Sequence, residues 1–312
     1  MKRILITGGA GFIGKELIKS LLKNKSKIFV LDNLSFKQKF LNDSRIKNYK
    51  IDITKKKLLK NLINKIKPNI VVHLAAIHSI PICEKKRQLA QLTNILGTEN
   101  LLQALKDIKL DKFIHASTGG IYSWKSKVLN EKITLVDPKD NYSVTKFTNE
   151  KQIYFWSKIT SNNYVIMRIF NTIGPNDPNA HLIPDILKQI DFKKKINNIF
   201  LGNINSKRDY IDVRDVANSI VKIIKSTLKK SEVINICNNS NYSIKNIIKI
   251  ISKVLKIKIN VSVDKKRIRK FDRPHQTGSN KKLINYIKYK PIYNLEDSIK
   301  NIVAFYLIKN VK

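Results

Sequence analysis

Thr7-Gly8-Gly9-Ala10-Gly11-Phe12-Ile13-Gly14 follows the short apolar run Ile4-Leu5-Ile6 and opens onto a segment with helical periodicity. Glycines at 8, 11 and 14 permit a tight turn, a close approach of backbone to phosphate oxygens and close packing of helix on strand. The first N–H groups of the helix, which include Phe12 and Ile13, then face the phosphate with the positive end of the dipole. The spacing is GxxGxxG rather than GxGxxG, so its context carries the reading. A second apolar run, Lys27 to Leu31, ends in Asp32, 18 residues beyond Gly14. A carboxylate there accepts hydrogen bonds from ribose hydroxyls and repels a 2′-phosphate, which favours NAD over NADP. Asp52, after a third run, reads either as an adenine contact or as a plain strand-end cap of the kind Asp often makes.

Working outward, β-like runs alternate with helical patterns through the first half of the chain. Strands are expected at 2–7, 27–31, 49–51, 70–74, 112–116 and 164–169, and helices at 11–24, 55–66 and 92–106. Such alternation predicts an α/β fold: a Rossmann-type, doubly wound parallel sheet with helices on both faces. After Asn171 the turn-rich stretch Gly174-Pro175-Asn176-Asp177-Pro178-Asn179 breaks the pattern. A second, smaller α+β lobe is expected from 172–205 and 237–312, with residues 206–236 (a helix at 212–229, a strand at 233–237) returning to the first domain of 1–171.

Lys and Arg outnumber Asp and Glu by 61 to 23, a net charge of +38. Only nine of the basic residues are arginine, and the lysines are spread among Ile and Asn rather than interleaved with stacking aromatics. Clusters such as Lys55-Lys56-Lys57, Lys193-Lys194-Lys195 and 265–270 read as solvated surface, and no nucleic-acid partner is expected. A positive field still favours a small anionic substrate. No apolar run approaches the roughly 20 residues of a membrane span, and Met1-Lys2-Arg3 leads straight into a strand rather than a signal peptide. A cytoplasmic protein without membrane association is expected. Two cysteines, Cys83 and Cys237, give no disulfide framework, and no Cys or His spacing suits a metal. His73, in an apolar strand, reads as a core histidine; His78, after that strand, is a candidate for the cleft.

Tyr142-Ser143-Val144-Thr145-Lys146 places a phenol and an ammonium at i and i+4, on one face of a helix. A phenol with a reference pKa of about 10 becomes a base at neutral pH only where positive charge stabilises its anion, which Lys146 and an oxidised nicotinamide can do. With the glycine turn and Asp32, this pair resembles the extended short-chain dehydrogenase/reductase family, in its nucleotide-sugar epimerase and dehydratase branch, close in pattern to UDP-glucose 4-epimerases. The resemblance includes Asp32-Asn33-Leu34, His73-Leu74-Ala75-Ala76, Thr93-Asn94-Ile95-Leu96-Gly97-Thr98, Ser117-Thr118, Arg168-Ile169-Phe170-Asn171, Gly174-Pro175, Arg208-Asp209-Tyr210-Ile211 and Arg273-Pro274. It implies that Tyr142 is the acid/base, Lys146 its tuner and a ribose ligand, and Thr118 or Ser117 the hydroxyl that orients the sugar oxygen. It also implies cofactor contacts at Asn33, Ile53, Leu74, Ala75, Ala76 and Asn94. Asn171, Arg208 and Arg273 would meet the substrate diphosphate, His78 would be a further substrate contact, and a homodimer would form through the helices around 92–106 and 142–158.

Three reactions on NDP-sugars are open to such a site: 4-epimerisation, 4,6-dehydration and 4-keto reduction. Dehydratases of this family carry acidic residues after the catalytic threonine, whereas Gly119-Gly120 follow Thr118 here, so dehydration lacks its acid/base. The expectation is NAD-dependent C4 epimerisation through a transient 4-keto sugar. A reductase of NDP-4-keto-6-deoxyhexoses is the alternative, and a non-catalytic dinucleotide-binding protein the second.

Overall fold

The computed structural model describes residues 2–23, 26–36, 38–178, 181–227, 230–268 and 273–310. Asn24, Asn179, Lys229, Arg269 and Lys270, at the ends of segments drawn from the sequence, lie outside the described residues.

Chain order begins β1 (Arg3–Thr7), α1 (Phe12–Leu21), β2 (Lys27–Asp32), β3 (Ile46–Lys50), α2 (Lys56–Ile66), β4 (Ile70–His73), α3 (Ile80–Lys85) and α4 (Arg87–Gln91). One π-helical turn, Leu92–Leu96, runs into α5 (Gly97–Ala104); β5 (Lys112–Thr118), a 3₁₀ turn at Gly119–Ile121, β6 (Val128–Leu129), α6 (Asn141–Thr160) and β7 (Tyr164–Ile169) follow. Next come β8 (Asn171–Ile173), α7 (Leu182–Lys188), β9 (Ile196–Leu201), β10 (Lys207–Arg208), β11 (Tyr210–Asp212), α8 (Val213–Lys225) and β12 (Glu232–Ile236). The chain ends with β13 (Tyr242–Ser243), α9 (Ile244–Leu255), β14 (Lys258–Val263), β15 (His275–Gly278), α10 (Lys281–Ile287) and α11 (Leu295–Asn310).

Seven strands form one sheet in the order β12-β7-β5-β4-β1-β2-β3, every neighbour parallel. The order reverses between β1 and β4, and the carboxyl ends of these strands border the crevice where such sheets bind ligands. Both faces of the strands are apolar, as a sheet buried on two sides requires. One face packs Ile4, Ile6, Val72 and Ile114 against Leu17 and Ile18 of α1 and Val216 and Ile220 of α8. The other packs Leu5, Val71 and Phe113 against Leu59 and Ile63 of α2, Leu101 of α5 and Ile153 of α6.

The smaller lobe has its own core, in which Ile183 and Ile186 of α7, Ile199 of β9, Ile247 and Ile251 of α9 and Ile299 and Ile302 of α11 meet. Residues 237–312 were expected wholly in this lobe. Leu283 and Ile287 of α10 instead lie in the core of the large sheet, because α10 covers the edge strand β12, whose apolar side would otherwise face water. The third strand also shifts, to Ile46–Lys50: its inner residues are few, and pairing with β2 fixes its register.

Candidate active site

Gly8 sits at φ +71°, where a side chain is strained, and a Cβ there would lie 2.6 Å from the Ala75 nitrogen. A Cβ on Gly14 would lie 2.6 Å from the Gly8 carbonyl oxygen. The turn is therefore pressed between β4 and its own helix, as dinucleotide approach requires. Gly11 donates to the Gly8 carbonyl at 3.1 Å, and no side chain caps α1, so the N–H groups of its first turn, with Phe12 and Ile13, are available to an anion. Asp32, at the end of β2, accepts from the Ala10 N–H (3.1 Å) and the Leu34 N–H (2.9 Å), which brings its carboxylate to the glycine turn. Asn33 donates to Asp52 at 2.8 Å, and the Thr54 N–H and hydroxyl donate to the other Asp52 oxygen. Burial alone would push Asp52 up, but these bonds prevail and hold it below the usual carboxylate value. The cradle, with Leu74 and Ala75 beside it, fits NAD. The Ile53 side chain does not face it: it is buried under Gly97.

The helix that carries Tyr142 and Lys146 is anchored at its first turn. Asp140 accepts from the Ser143 N–H at 2.8 Å, the Asp140 N–H donates back to the Ser143 hydroxyl, and Glu84 of α3 accepts from both amide groups of Asn141. Among the described residues, neither the Tyr142 hydroxyl nor the Lys146 ammonium makes a hydrogen bond. Burial pulls Lys146 down to about 7, with Cys83 and Glu150 opposing. Burial, then Cys83 and Asp140, push the Tyr142 phenol above its ordinary value. Left alone the phenol is a weak base, so it needs positive charge brought beside it.

Strand alternation separates the two candidate hydroxyls. Ser117 is turned inward and donates to Glu150 at 2.5 Å. Thr118 is part-exposed at the strand end, where it accepts from the Gly120 N–H at 3.1 Å and keeps its own O–H to donate. A Cβ on Gly120 would lie 3.3 Å from the Thr118 hydroxyl and 3.8 Å from Cβ of Ser143, so Thr118 stands at the start of α6. Gly119 has no such room: a Cβ would meet the Phe170 ring at 2.8 Å.

Asn94, expected as a cofactor contact, is buried and fully engaged. It accepts from the Ile77 N–H (2.8 Å) and donates to the Ile77 carbonyl (2.9 Å) and to Thr145 (3.0 Å). Its own carbonyl, freed by the π turn, accepts from Thr98 and Asn149. Asn94 thus clasps the segment after β4 to α6. His73 shares hydrogen bonds with Thr7 (2.6 Å) and Thr98 (2.9 Å) and is a core histidine, neutral by burial.

At the lobe side, Arg273 is buried and, among the described residues, donates to the carbonyls of His275, Tyr122 and Ser123. Burial and the neighbouring Arg208 pull it down to about 10. Two guanidinium groups so placed invite an anion. Asn171 donates to the Asp209 carbonyl and to Gln276. His78 meets His181 edge-on, ring centres 6.0 Å apart. Among the described residues no group of His, Cys, Asp and Glu could hold a metal. Asp140, Glu84, Glu150 and Cys83 were missed from the sequence; only the Asp140-x-x-Ser143 capping pattern could have been found there.

A profile of the NAD dependent epimerase/dehydratase family matches residues 4–237. The chain is 31% identical to GDP-6-deoxy-D-talose 4-dehydrogenase from Aggregatibacter actinomycetemcomitans, over 91% of each chain. UDP-glucose 4-epimerase from Thermotoga maritima, solved with UDP-glucose, superposes with a TM-score of 0.90 at 26% identity, over 99% of this chain and 100% of that one. UDP-glucuronic acid 4-epimerase from Bacillus cereus, solved with UDP-glucuronic acid and NAD, gives 0.86 at 28% identity, over 99% and 100%.

Proposed function

We propose, from the premise that this chain belongs to the NAD dependent epimerase/dehydratase family, that it is an NAD-dependent epimerase inverting C4 of an NDP-hexose through a transient 4-keto sugar. The observation that carries the choice of reaction is that glycines, not carboxylates, follow Thr118 at 119 and 120, with Gly119 packed against the Phe170 ring. Dehydration would need an acid/base there.

Bound NAD supplies the hydride acceptor for C4 and returns the hydride at the end of the cycle. Tyr142 takes the proton from the sugar O4 and gives it back after the sugar has turned. Lys146 stabilises the phenolate and holds the nicotinamide ribose. Thr118, rather than the inward Ser117, donates to O4. Arg208, Arg273 and Asn171 bind the diphosphate, which leaves the hexose free to rotate about it, and His78 lies beside the sugar end.

Given a panel of UDP-, GDP- and CDP-hexoses without added NADH, the protein interconverts the C4 epimers of at least one. A 4-keto-6-deoxy product would mean that dehydration found another acid. The similarity to GDP-6-deoxy-D-talose 4-dehydrogenase favours the reductase alternative, which holds if sugar reacts only with a 4-keto substrate and stoichiometric NADH.

The active form is a homodimer. Leu89, Leu92 and Leu96, with Val144, Phe155 and Ile159 of α6, are exposed on adjacent helices, and a second copy of the same face would cover them. Phe155→Glu should halve the mass measured by light scattering. No described helix is long and apolar enough to cross a membrane, and the two buried cysteines are free, which supports a reducing cytoplasm. The lysine-rich surface needs no nucleic acid, and duplex DNA should not be retained at moderate salt.

A further inference from the structure

Beneath Lys146 lies a buried ion pair that the reaction above does not use. Glu150 follows Lys146 by one helical turn, on the same face of α6. Arg168 donates to both Glu150 oxygens, from Nε at 3.1 Å and from a terminal nitrogen at 2.7 Å. Ser117 donates to the same carboxylate at 2.5 Å. Ser117 and Arg168 are register partners on β5 and β7, so three elements converge on one carboxylate. Both members of the pair are 7% exposed at the side chain, and the Arg168 guanidinium lies 4.7 Å from the Tyr122 ring centre.

Such a pair is a poor choice for stability. Desolvating two charges costs about as much as their attraction returns, and apolar residues of similar volume would serve the core as well. One terminal nitrogen of Arg168, moreover, has no hydrogen-bond partner among the described residues, a further cost. Around the Lys146 ammonium the other titratable groups are His73 on β4, His115 on β5, Cys83 on α3 and Tyr142 on α6. Burial keeps both histidines neutral and the thiol protonated. With the thiol protonated, Glu150 is the other group that favours the charged form of Lys146, and Arg168, bonded to both its oxygens, divides its attraction.

We propose that the Glu150–Arg168 pair, held by Ser117, is a positioning element that sets how firmly Lys146 keeps its proton and thereby how readily Tyr142 gives up its own. The proposal rests on Tyr142 and Lys146 being the working pair. Its direction follows from charge: Glu150 draws the proton onto Lys146, and Arg168 moderates that draw. The balance keeps Lys146 near neutrality, consistent with the value of about 7, where it can respond to a change in its surroundings.

The test reads Tyr142 itself. The tyrosinate absorbance of the NAD-loaded protein, taken as the difference from Tyr142→Phe, is titrated in the wild type and in Glu150→Gln, Arg168→Met and the double variant. Glu150→Gln keeps the shape, and its one amide oxygen can still accept from Ser117 and from Arg168 Nε, but it loses the second Arg168 bond and leaves Lys146 facing a cation. The Tyr142 midpoint should then rise by about one pH unit, the scale of one charge a helical turn away at intermediate dielectric. Arg168→Met should lower it, and the double variant, which buries no lone charge, should fall between. If Arg168→Met fails to fold, the isosteric variant and the charge-neutral double carry the test. Coincident midpoints in folded, NAD-binding variants overturn the proposal, as does a shift of the same sign on removing either partner. Because the readout needs no substrate, a protein inactive on every sugar but showing these shifts would refute the epimerase reading and leave this one standing.

Discussion

Single side chains decide the chemistry here, and two of them are accessible to simple variants. Tyr142→Phe removes the acid/base while leaving the ring that packs against Ile77, Cys83 and Ala90. Turnover should fall by at least about 10²-fold with NAD affinity retained, measured by calorimetry alongside the sugar assay; near-normal turnover would move the chemistry elsewhere. Lys146→Met should be as impaired and should also bind NAD more weakly. Asp32 touches the glycine turn through the Ala10 N–H, so Asp32→Ala should weaken NAD and narrow its preference over NADP. Equal affinity of the wild type for both cofactors would sink that assignment. These three residues were legible in the sequence because their chemistry depends on spacing along one element. Ser117 and Thr118 were not separable there, since which of two neighbours faces the cleft depends on where the strand ends.

At the scale of elements, the proposed reaction requires α6 to be held with the Tyr142 and Lys146 turns at the crevice. Asn94 does this from the π turn, with three hydrogen bonds that reach both the segment after β4 and Thr145. Asn94→Ala leaves the Ile77 amide unpaired in the interior and its carbonyl with the Cys83 thiol alone, and should cost about 2 kcal/mol of stability, at roughly 1–3 kcal/mol per orphaned group. Turnover should drop with it, because the clasp to α6 goes too; a urea midpoint unchanged from the wild type would show that the loop finds other partners. The π turn itself has no signature in Leu92-Thr93-Asn94-Ile95-Leu96, whose apolar spacing reads as ordinary helix. It is imposed by the backbone groups that Asn94 must reach.

Across the molecule, the crevice floor carries two histidines side by side, His73 and His115. Burial holds His73 down to about 3 and His115 well below 6.5. Unfolding restores both to about 6.5, so below that pH the unfolded chain takes up protons that the native chain refuses. Stability is complete above about pH 6.5 and falls as pH drops toward 3, by up to about 1.4 kcal/mol per pH unit for each histidine. Both ring nitrogens of His115 lack partners among the described residues, so His115→Leu should gain about 1 kcal/mol at neutral pH and flatten the acid limb of a urea-midpoint profile. A limb as steep as that of the wild type would place the acid sensitivity in other groups.

The sequence by itself determined the α/β architecture, and it placed the glycine turn, Asp32 and the proposed Tyr142–Lys146 pair, because hydrophobic period and fixed spacing along one strand or helix are local properties. It also determined that Gly119-Gly120 replace the acids of a dehydratase, a matter of residue identity alone. Only the tertiary structure decided that Ser117 faces Glu150, that Asn94 is a clasp, that α10 covers the edge of the large sheet and that Arg273 lies beside Arg208. Each of these depends on which groups from distant parts of the chain share one buried space, and the requirement that buried polar groups be paired acts on the folded neighbourhood rather than on sequence order.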